Sequence, residues 1–198
     1  MRLHIGSGPL ALAGWTNVDI APWPGVDLVL DVREAWPFTD VELIFAEHFI
    51  EHLTLADGHN FFRASRKALS PNGVLRVSTP NLDWVWLTHY KTPTQMSPAE
   101  HLTACLEINR AFHGWGHRFL YNLSLLELSL RAAGFADVVP KSYGESGNPV
   151  LSGLERHERH TDHSGAPSLV IVEASGVATP SAEFTTRVNE YVRDFTTS

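Results

Sequence analysis

The chain has 198 residues, of which 43% are hydrophobic and 19% charged, a composition typical of one globular domain large enough to bury its own core. Acidic residues outnumber basic ones by 22 to 15, and the formal net charge of −7 makes nucleic acid an unfavourable partner. The single cysteine, Cys105, excludes an intramolecular disulfide. The N-terminus lacks the apolar core of a signal peptide, and no stretch approaches the roughly 18 apolar residues of a membrane span, so we expect a cytoplasmic protein without a membrane partner.

Short apolar runs alternate with turn signals in the first half of the chain, which is typical of β-strands. A helix is predicted over residues 57–69, with Phe61 and Phe62 on its inward face. Strands that alternate with helices favour a largely parallel sheet. The predicted strands in this half are 3–5, 16–20, 27–32, 41–46 and 73–79.

Helices and loops dominate the chain after Pro80. Ser97 is predicted to cap a helix over 98–112, and Ser124 to open a second helix over 124–133. Two further strands, 137–143 and 168–175, are predicted to be antiparallel, because the segment between them contains no good helix. Apolar residues spaced as on one helix face predict an amphipathic helix within 179–198.

The connections between the first three strands are too short for crossover helices. Seven residues separate Gly8 from Thr16 and six separate Ile20 from Asp27, fewer than the dozen or so that such a connection needs. One face of the sheet near these strands should therefore lack its usual helical cover. This face would be covered by Trp15, Trp23 or the C-terminal helix. Alternatively, a second copy of the chain would cover it in a homodimer.

A glycine pair, Gly6 and Gly8, follows the first strand directly. Glycine lets the backbone turn sharply and approach a ligand, although the same pair also serves as a simple structural turn. Extended to Ala11, the pattern would indicate a dinucleotide site, but Asp19 comes only 11 residues after Gly8 and no full helix fits between them. A nicotinamide-dependent oxidoreductase is therefore disfavoured.

Two acidic residues, Asp19 and Asp31, come at or just before the ends of apolar strands. In open α/β sheets, ligands bind at the carboxyl ends of the strands, where a carboxylate can accept hydrogen bonds from ribose hydroxyls. Aspartate in such positions also caps loops, and the sequence leaves both interpretations open.

The order of these segments resembles a known family. LHIGSGP, WTNVDI, LVLDVREAWPF, DVELIFAEHFIEHL and FFRASRKALSPNGVLRVSTPN follow one another over residues 3–81 as in class I S-adenosylmethionine-dependent methyltransferases, of the kind called methyltransferase type 11. The later FLYNLSLLELSLRAAGFADV is similar to a helix and strand of the same family. The resemblance implies a three-layer, Rossmann-like α/β sheet of seven strands in the order 3-2-1-4-5-7-6, with the last strand antiparallel. This chain departs from the family in its shortened first crossover helices and in the missing third glycine of the first loop.

The resemblance also implies where S-adenosylmethionine would bind and S-adenosylhomocysteine would be left as product. The glycine turn would lie under the methionine part, Asp19 would hold the ribose, and the segment from Asp31 would flank the adenine. Glu47 and His48 would border the sulfonium and the acceptor. The implied cofactor-binding residues are Gly6, Ser7, Gly8, Asp19, Ile20, Asp31, Val32, Arg33, Glu47 and His48.

The densest cluster of titratable side chains comprises Glu47, His48, Glu51 and His52. On a helix, residues 48, 51 and 52 would share one face. His48 or His52 could act as a general base if the acceptor carries a proton at its reacting atom. The alternative is that Glu51 and His52 brace the helix against the sheet. The candidate catalytic residues are His48, Glu51 and His52.

Residues 81–122 are predicted to form a helical insert that caps a substrate. Its candidate substrate-binding residues are Trp84, His113, Trp115, His117 and Tyr121, although Trp115 and Tyr121 are as readily explained by packing. His157, His160 and His163 stand among acidic residues in a polar loop, which matches no zinc spacing and favours a solvated loop. No metal is predicted.

These observations predict a single domain over residues 1–198 that transfers a methyl group from S-adenosylmethionine to a small or medium soluble acceptor. The alternative, motivated by the shortened first helix and by Trp15 and Trp23, is a non-catalytic module that keeps the fold and works by binding the cofactor, its product or other proteins.

Overall fold

Seven strands form one mixed sheet in the computed structural model, which describes residues 1–90, 96–157 and 165–195. The order is β3-β2-β1-β4-β5-β7-β6, and β7 runs antiparallel to both of its neighbours while the other pairs are parallel. The predicted strand order and the antiparallel last strand are therefore confirmed. The strands are β1 (Arg2–Ile5), β2 (Thr16–Asp19), β3 (Leu28–Val29), β4 (Val41–Glu47), β5 (Leu69–Pro80), β6 (Asp137–Pro140) and β7 (Leu169–Ser175).

Five α-helices are distributed among these strands in the described residues. They are α1 (Leu55–Ala68), α2 (Leu82–His89), α3 (Pro98–His113), α4 (Leu123–Ala132) and α5 (Ala182–Phe195). Single 3-10 turns over Ile50–His52 and Gly114–Gly116 precede α1 and follow α3. None of the described helices has both the length and the hydropathy that crossing a bilayer requires.

Helix capping confirms one sequence prediction and corrects another. Ser97 caps α3 with a full capping box, in which the Glu100 carboxylate accepts from the backbone of Ser97. The cap of α4, however, is Asn122 and not Ser124. Its side-chain oxygen accepts from the backbone N–H of Leu125 at 3.0 Å, so the helix begins before Ser124.

Three strands, β3, β5 and β6, have boundaries that differ from the prediction by three residues or more. β3 has two residues and not six, because the chain after Leu30 bends as the backbone N–H of Arg33 donates to the Asp31 side chain. β6 ends at Pro140 and not at Tyr143. β5 begins at Leu69 and not at the predicted residue 73, and its register with β4 shifts between Val41 and Leu43.

One face of the sheet is covered by α1 and α4. Phe61 and Phe62 of α1 and Leu126 and Leu130 of α4 are fully buried against the sheet. The C-terminal α5 packs on these two helices, and His59 of α1 contacts the Thr185 hydroxyl oxygen at 3.2 Å. The suggestion that this helix covers strands 1 to 3 is therefore wrong, because its apolar face is used on α1 and α4.

The opposite face is covered by loops. The segment before β2 contributes Trp15, and the β6–β7 loop contributes Leu151. Both side chains belong to one apolar cluster with Phe45 of β4. Trp15 thus fills the face as expected, whereas Trp23 remains 48% exposed. Part of this face is thus covered by the chain's own residues, and the homodimer expected from a bare face near strands 1 to 3 stays a prediction.

A buried arginine joins the β6–β7 loop to the centre of the sheet. The Arg76 side chain on β5 is fully buried, and its nitrogens lie 2.7 Å from carboxylate oxygens of Glu155 in the loop and of Glu173 on β7. It also donates to the backbone oxygen of Glu145 at 3.0 Å. The loop is therefore held on the sheet by charge pairing as well as by apolar contact.

Candidate functional site

Two adjoining cavities lie at the carboxyl edge of the sheet, and His48 and His52 line both of them. The first, here called the strand-end cavity, has a volume of about 360 Å³ and is lined by Gly6, Asp19, Ile20, Asp31, Val32 and Arg33, among others. The second, here called the histidine cavity, has a volume of about 690 Å³ and lies among the ends of β4 and β5, α2 and α3. Both volumes fall within the range of small-molecule sites.

The glycine turn of the strand-end cavity requires glycine at Gly6. Gly6 and Gly8 have φ values of +67° and +50°, in the left-handed region. A Cβ atom on Gly6 would collide with the ring of Phe49, whereas the space around Gly8 is open. The hydroxyl of Ser7, between them, is buried and has no hydrogen-bond partner in the described structure. This loop therefore brings bare backbone and one unused hydroxyl to the end of β1.

Asp19 braces the glycine turn. Its Oδ2 accepts from the backbone N–H of Gly8 at 2.8 Å, and its Oδ1 accepts from that of Ala21 at 2.9 Å. Each carboxylate oxygen has a further lone pair, and the side chain lines the strand-end cavity. The loop-capping interpretation is thus confirmed, and it leaves acceptor capacity for a ligand hydroxyl.

Asp31 and Arg33 form an ion pair in the wall of the same cavity. The Arg33 Nε lies 2.9 Å and 3.0 Å from the two oxygens of Asp31. Hydrogen bonds from Arg33 lower the pKa of Asp31, so the carboxylate stays charged. Apolar side chains of Ile20 and Val32 line the cavity beside this pair.

Glu47, the last residue of β4, anchors the β6–β7 loop. Its two oxygens accept from the backbone N–H of Arg156 at 3.0 and 3.1 Å, and its Oε1 also accepts from that of His157 at 3.2 Å. Burial alone would raise the pKa of Glu47, but these hydrogen bonds and the His157 imidazole lower it. The sequence analysis placed Glu47 beside the cofactor, and the structure shows its oxygens engaged with the loop.

His48 has a strained backbone and a paired imidazole. Its φ of +45° is rare for a residue with a side chain, and such strain is frequent at functional sites. Its Nδ1 lies 3.1 Å from Oε1 of Glu51, and its ring lies 4.4 Å from that of His157. Its Nε2 is buried without a hydrogen-bond partner in the described structure. The imidazole is therefore paired at one nitrogen and without a partner at the other.

Glu51 connects the elements of the site. Its side chain is fully buried, and its Oε2 accepts from the Thr79 hydroxyl at 3.0 Å. Burial would raise the pKa of Glu51, but the neighbouring His48 imidazole lowers it. Its backbone oxygen accepts from the N–H of Arg118 at 2.7 Å, which ties this turn to the segment after α3. Residues 48, 51 and 52 are brought together as predicted, by a 3-10 turn in place of a regular helix.

Three of the five candidate substrate-binding residues line the histidine cavity, namely Trp84, Trp115 and His117. Tyr121 does not, because it is fully buried in the core and packs on Phe62 and Phe119. His113 lies exposed at the end of α3, outside the cavity lining. The packing interpretation thus accounts for Tyr121.

Several residues of the histidine cavity were not predicted from the sequence. His89, Glu107, Arg110 and His157 also line it. The solvated-loop interpretation is wrong for Glu155, which is 7% exposed, and His157 is half-exposed but paired with Glu47. His160 and His163 lie outside the described residues. No local pattern signals these partners, because Glu47 and His157 are 110 residues apart.

Comparison with solved structures decides the fold. A methyltransferase from Archaeoglobus fulgidus, which depends on S-adenosylmethionine, is similar with a TM-score of 0.54 and 15% identity, over 87% of this chain and 84% of that one. A methyltransferase from Thermotoga maritima, described as a possible histamine N-methyltransferase, is similar with a TM-score of 0.54 and 16% identity, over 88% of this chain and 80% of that one. This chain has the fold of the class I methyltransferases. No family model matches it, and no curated protein does.

Another similar structure is considerably longer. The S-adenosylmethionine-dependent methyltransferase SibL gives a TM-score of 0.54 and 13% identity over 89% of this chain, which spans 50% of SibL. The chain likewise spans 51% of an O-methyltransferase structure from Nostoc punctiforme and 46% of the structure of the citrinin polyketide synthase CMeT domain. At these identities the likeness concerns the fold.

Proposed function

We propose that this chain transfers a methyl group from S-adenosylmethionine to a small or medium acceptor bound in the histidine cavity. The observation that carries the proposal is the junction of the two cavities. The strand-end cavity presents Gly6 of the glycine turn and three carboxylates, those of Asp19, Asp31 and Asp57. The histidine cavity presents aromatic and imidazole side chains, and His48 and His52 line both cavities. A cofactor in the first cavity and an acceptor in the second would therefore meet at these imidazoles.

The residues of the strand-end cavity fit S-adenosylmethionine. Asp19 retains lone pairs for the ribose hydroxyls, and Ile20 and Val32 offer apolar surface for the adenine. Gly6 brings bare backbone to the cavity, whereas Ser7 and Gly8, which were also predicted to bind the cofactor, follow it in the turn and are not among the lining residues. When bound, this cofactor supplies an electrophilic methyl group on a sulfonium.

The histidine cavity fits an acceptor with a flat or apolar body. Trp84 and Trp115 line it, and the Arg110 guanidinium stacks 4.6 Å from the centre of the Trp115 ring. Holding an acceptor atom beside the methyl group can supply about 7 to 11 kcal/mol of the barrier reduction. The walls of the cavity would provide this positioning.

His48 is suited to accept a proton from the acceptor. Glu51 lies 3.1 Å from its Nδ1 and positions the ring, and its Nε2 is without a partner in the described structure. General-base catalysis of this kind contributes about 10² to 10⁴-fold in rate. We propose His48 as the base, Glu51 as the positioning residue, and His52 as a further wall of both cavities.

Calorimetric titration tests the cofactor. The wild-type protein should bind S-adenosylmethionine and S-adenosylhomocysteine in preference to NADH. Asp19→Asn, which keeps one acceptor oxygen for the turn, should bind both more weakly, whereas Asp137→Ala, an exposed carboxylate on β6, should bind as wild type. No binding of either compound by the folded wild-type protein would overturn the proposal.

Methyl transfer is tested by a screen of hydroxyl and amine acceptors with labelled cofactor. His48→Gln should lower kcat by about 10² to 10⁴-fold for a proton-bearing acceptor and weaken S-adenosylhomocysteine binding by a much smaller factor. Cofactor binding together with no transfer to any acceptor would instead support the non-catalytic module.

A further inference from the structure

Three side chains of metal-ligating type converge beside the histidine cavity, and two of them, His52 and His117, line it. A carboxylate oxygen of Glu51 and a ring nitrogen each of His52 and His117 all lie within 4.8 Å of one another. We propose that these three residues bind a divalent transition-metal ion of the zinc type. The sequence analysis expected no metal, since it considered only the histidines of the β6–β7 loop.

The His117 ring is oriented as metal-bound imidazoles usually are. Its Nδ1 lies 2.8 Å from the backbone oxygen of Ala111, so this nitrogen carries the proton and donates. Its Nε2 is therefore the nitrogen with a free lone pair. Ligating histidines characteristically donate their second N–H to a carbonyl or carboxylate in this way.

The Glu51 carboxylate has the burial and the spare capacity that a cation would use. It is fully buried, and a buried carboxylate is costly unless positive charge and hydrogen bonds compensate it. Oε2 accepts from the Thr79 hydroxyl, and Oε1 lies 3.1 Å from Nδ1 of His48. Each of these oxygens retains a further lone pair, which a metal ion could use.

The backbone holds the two ligand-bearing segments together. The backbone oxygen of Glu51 accepts from the N–H groups of Arg118 at 2.7 Å and Phe119 at 3.2 Å, directly after His117. Gly116 has a φ of +82°, and a Cβ there would lie 3.8 Å from Nδ1 of His52. The close approach of His52 and His117, with ring centres 5.2 Å apart, is therefore built into the main chain.

The donor set favours zinc-type ions. Imidazole nitrogen suits Zn²⁺, Cu²⁺, Fe²⁺ and Ni²⁺, whereas Mg²⁺ and Ca²⁺ prefer oxygen ligands. Two histidines and one glutamate form a known set for zinc sites that keep an open coordination position. Because His52 and His117 line the histidine cavity, an ion held by them would bind an oxygen or nitrogen donor that enters it.

Zinc titration of protein stripped with a chelator tests this site without reference to methyl transfer. The wild-type protein should bind one Zn²⁺ per chain, and its Tm should rise with zinc. His52→Ala and His117→Ala should each weaken binding at least about 10-fold and abolish the rise in Tm. His101→Ala, on α3 and outside the cavity lining, should bind zinc as wild type.

Two results would overturn the inference. One is a wild-type protein that binds no Zn²⁺; the other is binding that is unchanged in both His52→Ala and His117→Ala, which would place the ion elsewhere in the chain. Circular dichroism of the metal-free variants shows whether each one folds. Replacement of zinc by Co²⁺ gives an independent readout, because His117→Ala should change its visible absorption if the imidazole is a ligand.

Discussion

Glu47 and His157 form an ion pair across 110 residues of sequence, with Nδ1 of the histidine 3.2 Å from Oε2 of the glutamate. The pair fastens the β6–β7 loop to the end of β4. It thereby places the His157 ring 4.4 Å from that of His48, in the wall of the histidine cavity. A loop from the far edge of the sheet thus completes the candidate site.

The contribution of this pair to stability should depend on pH. Hydrogen bonding to Glu47 raises the pKa of His157 above its ordinary value of 6.5. The contribution of His157 to stability is therefore complete below about pH 6.5 and is lost as the pH rises through the pKa of the folded state. The pKa of Glu47 is lowered from its ordinary value of 4.5. The contribution of Glu47 to stability is therefore present above about pH 4.5 and is lost as the pH falls through the pKa of the folded state. The pair should therefore stabilise the protein most between these two values.

His157→Gln tests this dependence. We expect the substitution to lower Tm at both pH values, by about 1 to 3 °C more at about pH 5.5 than at about pH 8. The difference is small because the His157 side chain is half-exposed. His101→Gln serves as the control for a general loss of imidazole charge, and thermal unfolding followed by circular dichroism is the measurement. A difference in Tm that is equal at both pH values would contradict the assignment.

The glycine turn should not tolerate a side chain at Gly6. Gly6→Ala imposes a left-handed φ of +67° on alanine and pushes its Cβ into Phe49, which should cost about 1 to 3 kcal/mol and weaken S-adenosylhomocysteine binding. Gly147→Ala is the matched control, because nothing lies within 4 Å of the added atom and its φ is not left-handed. Urea unfolding measures both; equal stabilities would show that the loop adapts.

The buried Arg76 should be indispensable to the loop-covered face. Arg76→Met leaves Glu155 and Glu173 without their arginine partner, and breaking a buried pair in this way typically costs about 3 to 5 kcal/mol. Arg2→Met removes only a partly exposed pair with Glu42, worth about 0 to 1 kcal/mol. The two free energies of unfolding, measured in urea, should differ accordingly. A comparable loss in both variants would show that the buried pairs of Arg76 contribute no more to stability than the exposed pair of Arg2.

Tyr121→Phe distinguishes packing from ligand contact. The Tyr121 hydroxyl is buried without a partner in the described structure, and burial raises its pKa, so it stays protonated. Leaving such a group unsatisfied costs about 1 to 3 kcal/mol, so the phenylalanine variant should be at least as stable as wild type. Its KM for an acceptor that the wild-type protein methylates should also be unchanged. A marked loss of stability would indicate a hydrogen bond that the hydroxyl makes in solution.

Local patterns predicted much of this fold. Apolar runs and turn residues marked the strands, and Ser97 marked the start of α3. The strand order came from the family resemblance that the motifs over residues 3–81 carry, and the structure has that order. Local patterns also indicated the glycine turn and Asp19, because a glycine pair and a carboxylate at strand ends are properties of short stretches of chain.

The rest depends on contacts between distant segments. Only the path of the chain brings together two ion pairs and one cluster: Arg76 with Glu155, Glu47 with His157, and Glu51 and His52 with His117. The sequence by itself determined which segments form strands and which residue types stand at their ends, because those properties arise from near neighbours. Only the tertiary structure decided which loop covers the second face and which imidazoles meet, because burial and charge pairing act through space and carry no signature in the spacing of residues.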